Sequence, residues 1–138
     1  MKKIVENYLN EAYWDLENAK ILLKNQRYST AVFHSQQASE KAVKALLFSC
    51  NLNGWGHSIT TLLEKYKEIK NRQISSVEKE ALSLDKQYIP TRYPDALPGI
   101  APHKAYNKEE AQHYIKQAER IINYVEEEMN YFKKNSKK

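Results

Sequence analysis

Gln37, Lys41 and Lys44 stand at i, i+4 and i+7 in the stretch Ala31–Leu47, AVFHSQQASEKAVKALL. Read as a helix, that spacing puts two cations and an amide on one face. Lysine ammoniums are point charges suited to a phosphate. Arg92 adds a planar fork that can grip two oxygens at once. His57, after Gly56, reads as a cap or packed loop residue or as a cleft residue near a ligand's phosphates, and His103 stands in a proline-rich stretch. His34 sits beside Phe33 and reads as a hydrogen-bonding residue at the core edge; His113 reads as an i, i+4 partner of Glu109. Glu40 and Lys44 have the favourable helical ion-pair order, and Arg92 and Asp95 are near enough to pair across their loop. No two histidines have zinc-site spacing, and the single cysteine, Cys50, rules out an internal disulfide, so no metal and no cofactor is expected.

These residues need helices to hold them. Val5, Leu9, Ala12, Leu16, Ala19 and Leu23 mark one face of a helix over Lys2–Lys24. A short Asn25–Tyr28 link makes the next helix, Ser29–Ser49, its antiparallel neighbour. That second helix carries a stripe of small residues, Ala31, Ala38, Ala42 and Ala45, which lets another helix approach closely. A third helix begins near Ser58, and Ser75 with Glu78 has capping-box spacing for a fourth that reaches about Tyr88. All four prolines then fall within Pro90–Tyr106, which must be a loop. Tyr93, Leu97, Ile100 and Tyr106 give that loop apolar surface with which to pack down. Asn107 and Glu110 cap a last helix whose Ala111, Ile115, Ala118, Ile122, Val125, Met129 and Phe132 keep strict heptad spacing. The seam packs on a long antiparallel helix or on a partner subunit. The chain is therefore all-α: an antiparallel up-and-down bundle of four to five helices, with a long proline-rich loop before the last one.

Composition narrows the partners. The 138 residues form one domain, 1–132, followed by a basic tail, 133–138. The formal charge of +5 is mostly that tail, whose four lysines leave 18 basic residues against 17 acidic in the body. A broad nucleic-acid-binding face is not indicated. The amino terminus lacks a signal peptide's apolar segment and no apolar run can span a bilayer, so no membrane is expected and the location reads as cytoplasmic.

With those motifs in view, the chain resembles the HEPN family, the higher eukaryotes and prokaryotes nucleotide-binding domain. Asp15-Leu16-Glu17-Asn18-Ala19 with Leu22-Leu23 is similar to the family's opening helix. Gln36-Gln37-Ala38, Glu40-Lys41-Ala42 and Lys44-Ala45-Leu46-Leu47 resemble its most recognisable block. Gly56-His57 leading to Leu62-Leu63 looks like the opening of its third helix. Tyr88-Ile89-Pro90-Thr91-Arg92-Tyr93-Pro94-Asp95 resembles a loop of the archaeal and bacterial branch associated with minimal nucleotidyltransferases. The resemblance implies a homodimer with a cleft between subunits. It also implies one of two functions. The first is a non-catalytic protein that binds a nucleotide or RNA end and acts, toxin–antitoxin-like, with a minimal nucleotidyltransferase; Gln37, Lys41, Lys44, His57, Arg92 and Tyr93 are then the nucleotide-binding residues. The alternative is a metal-independent endoribonuclease with Arg92 and His103 as catalytic pair. Ribonuclease members place four to six residues between Arg and His, whereas ten lie between Arg92 and His103. The non-catalytic reading is therefore the leading one.

Overall fold

The computed structural model describes residues 1–136. Lysines 137 and 138, the end of the expected tail, lie outside them. Five α-helices follow in order: α1, Lys3–Lys24; α2, Tyr28–Ser49; α3, Ile59–Lys70; α4, Glu78–Asp85; and α5, Lys108–Asn135. A single 3-10 turn, Pro102–Lys104, interrupts the loop before α5. The described residues contain no strand. The helix α5 continues past Phe132 to Asn135, three residues into the lysine-rich segment.

The second helix is the hub and touches all the others. Fourteen of its 22 residues are buried, far more than the one apolar stripe a surface helix presents. Ala31, Ala38, Ala42 and Ala45 are fully enclosed, as are Ala12 and Ala19 on α1. Alanines at the contacts bring the two backbones close together. The link between α1 and α2 is only Asn25, Gln26 and Arg27. Gln26 takes a left-handed φ of 62°, and the Arg27 amide turns back to donate to the Leu22 carbonyl at 2.8 Å.

The heptad seam of α5 packs within the chain. Ala111, Ile115, Ala118, Ile122 and Val125 are buried, while Met129 and Phe132 flank the same core. Ile121 and Tyr124 are also buried, so the apolar stripe is wider than a two-helix seam. Asn107 and Glu110 form the expected capping box: the Glu110 amide donates to Asn107 Oδ1 at 2.8 Å and the Asn107 amide to Glu110 Oε1 at 3.1 Å. Glu128 ties α5 to the end of α3 by accepting from Arg72 at 2.8 and 2.9 Å and from the Tyr66 hydroxyl at 2.6 Å.

The fourth helix departs from expectation at both ends. Ser75 and Glu78 do not make a capping box; Ser75–Val77 is a turn that buries Ile74 and Val77, and the helix starts at Glu78 without a side-chain cap. It stops at Asp85 rather than Tyr88. The Asp85 carboxylate is engaged elsewhere, accepting from the Ile59 and Thr60 amides at the start of α3 at 2.7 and 3.0 Å and from the Ser58 hydroxyl at 3.0 Å. Tight turns then carry the chain to Arg92. The proline loop is anchored from its ends through Gln87, whose carbonyl accepts from Thr91 and whose side chain accepts from the Tyr106 hydroxyl. Leu97 and Tyr106 are partly covered, but Tyr93 and Ile100, in the stretch between these anchors, stay exposed rather than packing down.

The close approach around α2 is directly testable. Ala38→Leu should destabilise the fold by about 2 kcal/mol through overpacking, measured by urea denaturation. An unchanged midpoint would show that the contact at Ala38 has room to spare.

Candidate functional site

A helix surrounded on several sides must also satisfy its polar residues without water. Two carboxylates carry that demand. Glu40 on α2 is 4% exposed, and burying an unpaired charge is costly enough that each of its oxygens needs a donor. The Gln36 amide donates to Oε1 at 3.1 Å, while Lys44 Nζ and His57 Nδ1 lie 3.1 and 3.2 Å from Oε2. Asp15 on α1 is almost as enclosed. It holds Lys41 Nζ at 2.7 Å and His34 Nδ1 at 3.0 Å. Burial of Asp15 acts to raise its pKa, but the bonds from His34 and Lys41 outweigh it and hold the carboxyl below its ordinary value.

The lysine row is thus not a free cationic face. Lys44 is buried and paired with Glu40, as the i, i+4 spacing requires, while Lys41 crosses to the carboxylate on α1. Gln37 donates to Gln36 Oε1 at 2.9 Å. That same oxygen accepts from Arg92 Nη2 at 3.2 Å, and Arg92 Nη1 donates to the Tyr88 carbonyl at 2.7 Å. The guanidinium also lies over two rings, with Cζ 3.7 Å from the Tyr88 centre and 4.6 Å from that of Phe33. The expected Arg92–Asp95 ion pair is not among the described residues' pairs; Arg92 turns to α2 instead, where a buried amide oxygen and two aromatic faces receive it.

His57 completes the group. Its ring stacks on Tyr88 with centres 5.0 Å apart and planes 27° from parallel. Its side chain is 62% exposed. With Nδ1 turned to Glu40, Nε2 is the nitrogen left for a ligand. His57, Ser58, Asp85, Tyr88 and Ile89 line a shallow hollow of about 200 Å³. One chain of hydrogen bonds therefore fixes both candidate phosphate donors: His57 to Glu40, Glu40 to Gln36, Gln36 to Arg92. A guanidinium and an imidazole near one ring can receive a phosphate by charge and by directed N–H donors.

His103 does not join them. It lies exposed on the 3-10 turn, with no hydrogen bond or ion pair to Arg92 among the described residues. Tyr93 is half exposed beside Arg92. His34 is the core-edge residue its neighbours suggest, whereas His113 meets Gln117, one turn onward at 3.1 Å, rather than Glu109. Sequence reasoning missed Asp15, Gln36, Phe33 and Tyr88 as parts of the site. The i, i+4 spacing of Gln36 and Glu40 is the signal that was there to be used. No cluster of three metal-ligating side chains occurs among the described residues, and no helix among them is long and apolar enough to cross a membrane.

The model of the HEPN domain matches residues 5–128, nearly the whole bundle. The chain belongs to the HEPN family. A protein of Methanocaldococcus jannaschii named as a candidate toxin is 32% identical over 135 residues, covering 91% of this chain and 88% of its own length. Among solved structures, TT1696 from Thermus thermophilus superposes with a TM-score of 0.86 at 35% identity, covering 92% of this chain and 99% of that one. The archaeal HEPN homologue ST0689 gives 0.76 at 39% identity, with 91% and 97% covered. A HEPN domain protein from Thermotoga maritima gives 0.71 at 34% identity, with 90% and 98% covered. This HEPN chain thus shares its fold with proteins from bacteria and archaea across almost its full length.

Two outcomes check the buried carboxylates. Glu40→Ala leaves Lys44 enclosed without its partner and should destabilise the HEPN fold by about 3 kcal/mol or more, read from denaturant unfolding. Asp15 should make the fold acid-sensitive. Its pKa is lowered in the folded chain relative to the ordinary 3.8, so its stabilisation is complete above that value and drains away as pH falls towards the folded pKa. Asp15→Asn should flatten the loss of stability below about pH 4. An identical acid limb in both proteins would contradict the pairing.

Proposed function

We propose that this HEPN chain is the non-catalytic member of a toxin–antitoxin-like pair. It forms a homodimer, binds a nucleotide or an RNA end, and acts with a minimal nucleotidyltransferase. The toxin name of the Methanocaldococcus relative supports the general role. The observation that carries the binding site is the hydrogen-bonded chain from His57 through Glu40 and Gln36 to Arg92. Arg92 has two N–H groups committed to its own chain and the rest available to a phosphate. His57 supplies a second donor, and half-exposed Tyr93, next in the chain to Arg92, adds an aromatic face. Gln37, Lys41 and Lys44 contribute by holding Gln36, Asp15 and Glu40 in place, and the two lysines offset the negative charge of the carboxylates that an incoming anion would otherwise face. The domain comprises residues 1–132, and the segment 133–138 is a basic extension.

The reading against an Arg92–His103 catalytic pair is supported by the contrast between histidines. His34 and His57 are each oriented by a buried carboxylate, as a proton-transferring imidazole needs to be. His103 has no such partner among the described residues, so the alternative of a metal-independent endoribonuclease built on Arg92 and His103 lacks an oriented base.

Purified protein should leave RNA intact in the presence of a chelator. Cleavage that disappears in both Arg92→Ala and His103→Ala, with the fold preserved, would overturn the non-catalytic assignment. Light scattering after size exclusion should give twice the chain mass, and a tagged copy should retain a co-expressed minimal nucleotidyltransferase; a monomer that retains none would remove the pairing.

A further inference from the structure

Trp55 is the most exposed large aromatic of the fold, at 84%. Its backbone is nonetheless firmly placed. Gly54 is buried against α2 so tightly that a Cβ there would meet Lys44 Cγ at 3.1 Å and the Phe48 ring at 3.2 Å. The Asn53 carbonyl accepts from Lys65 Nζ at 3.0 Å, which ties the same loop to α3. Gly56 then adopts a φ of +97° with open space around it, and His57 follows. The indole is thus held out in water by a pinned loop, without an aromatic partner among the described residues.

Its position relative to the site is what gives the exposure meaning. Residues 55 and 57 are two steps apart, at most about 7 Å even in extended chain. The two side chains thus spring from one short turn, and a ligand held at His57 has Trp55 as its near neighbour along the chain. Ile89, also exposed, lines the hollow beside His57 and Tyr88, while the Asp85 carboxylate in the same lining is taken up by the Ser58 hydroxyl and the Ile59 and Thr60 amides, so an apolar side chain stands next to the imidazole. A flat apolar ring beside phosphate donors is the arrangement that receives a nucleobase by stacking, independent of sequence.

We propose that Trp55 is a stacking platform for the base of a nucleotide whose phosphate is met by His57 and Arg92. The ligand class is then a base-bearing phosphate, free or at the end of an RNA, rather than a phosphate or sugar phosphate alone. This rests on the nucleotide-binding reading of the His57–Arg92 group.

The chain has two tryptophans, so Trp14→Phe leaves Trp55 as the sole indole reporter. In that background, adenosine monophosphate, a short oligoadenylate and ribose 5-phosphate are titrated, with Trp55 emission and the melting temperature followed together. The base-bearing ligands should quench Trp55 emission and raise the melting temperature, whereas ribose 5-phosphate should leave the emission unchanged. Trp55→Ala should weaken the better-bound of the two by about tenfold without altering ribose 5-phosphate binding or the unliganded melting temperature. Tighter binding of either base-bearing ligand, with that loss, supports the platform and tells a free nucleotide from an RNA end. If the monophosphate binds as before in Trp55→Ala and leaves Trp55 emission unchanged, the platform is overturned while the phosphate site stands. If none of the three ligands raises the melting temperature, the His57–Arg92 reading fails and takes the platform with it. If Trp55 emission answers only to the nucleotidyltransferase, the residue is a protein contact and the platform is again overturned.

Discussion

The structure turns on one buried charge. Glu40 sits on the helix that every other helix packs against, where little water remains to solvate a carboxylate. The cost of that burial is offset only by donors arranged around it. Lys44 comes from the next turn of the same helix, Gln36 from the previous turn, and His57 from the loop that opens α3. Gln36 then has an oxygen left over, and Arg92 uses it. The geometry of the surface group is therefore set from inside. A side chain at the mouth of the hollow is oriented by a charge in the core, which is what a binding site needs if its donors are to be in place before the ligand arrives.

Asp15 repeats the design on the neighbouring helix with His34 and Lys41. The two groups are linked through aromatic contacts. The Phe33 ring lies edge-on to His34 and beneath Arg92, and Tyr88 carries Arg92 as well as His57. Polar residues on α2 thus serve the packing and orient Arg92 and His57 at once. Replacing them with apolar residues of similar size would keep a bundle but would release Arg92 and His57 from their positions.

Much of the fold was legible because local signals agreed with one another. The apolar steps of α1, the Asn107–Glu110 cap and the heptad of α5 each mark an element through its own residues. The limits of α4 were not legible. Ser75 and Glu78 carry a capping pattern, yet burial of Ile74 and Val77 and the capping of α3 by Asp85 decide where that helix runs. These are tertiary effects that spacing along the chain does not encode. The site divides in the same way. His57, Arg92 and the Glu40–Lys44 pair could be singled out by type and spacing. The partnership of Lys41 with Asp15, 26 residues away, and of Arg92 with Gln36, 56 residues away, exists only once the helices are packed. The cationic row that spacing suggested is consequently an internal scaffold, and the groups facing outward come from two loops.

In the proposed site a nucleotide's phosphate meets His57 and Arg92 as a pair. Side-chain nitrogen NMR of the histidines and arginines, recorded while adenosine monophosphate is titrated into the intact protein, tests it most directly. The signals of His57 and Arg92 should shift together along one saturation curve, with His34, Arg72 and His103 unmoved. Saturable shifts at His103 or Arg72, with His57 and Arg92 silent, would contradict the account.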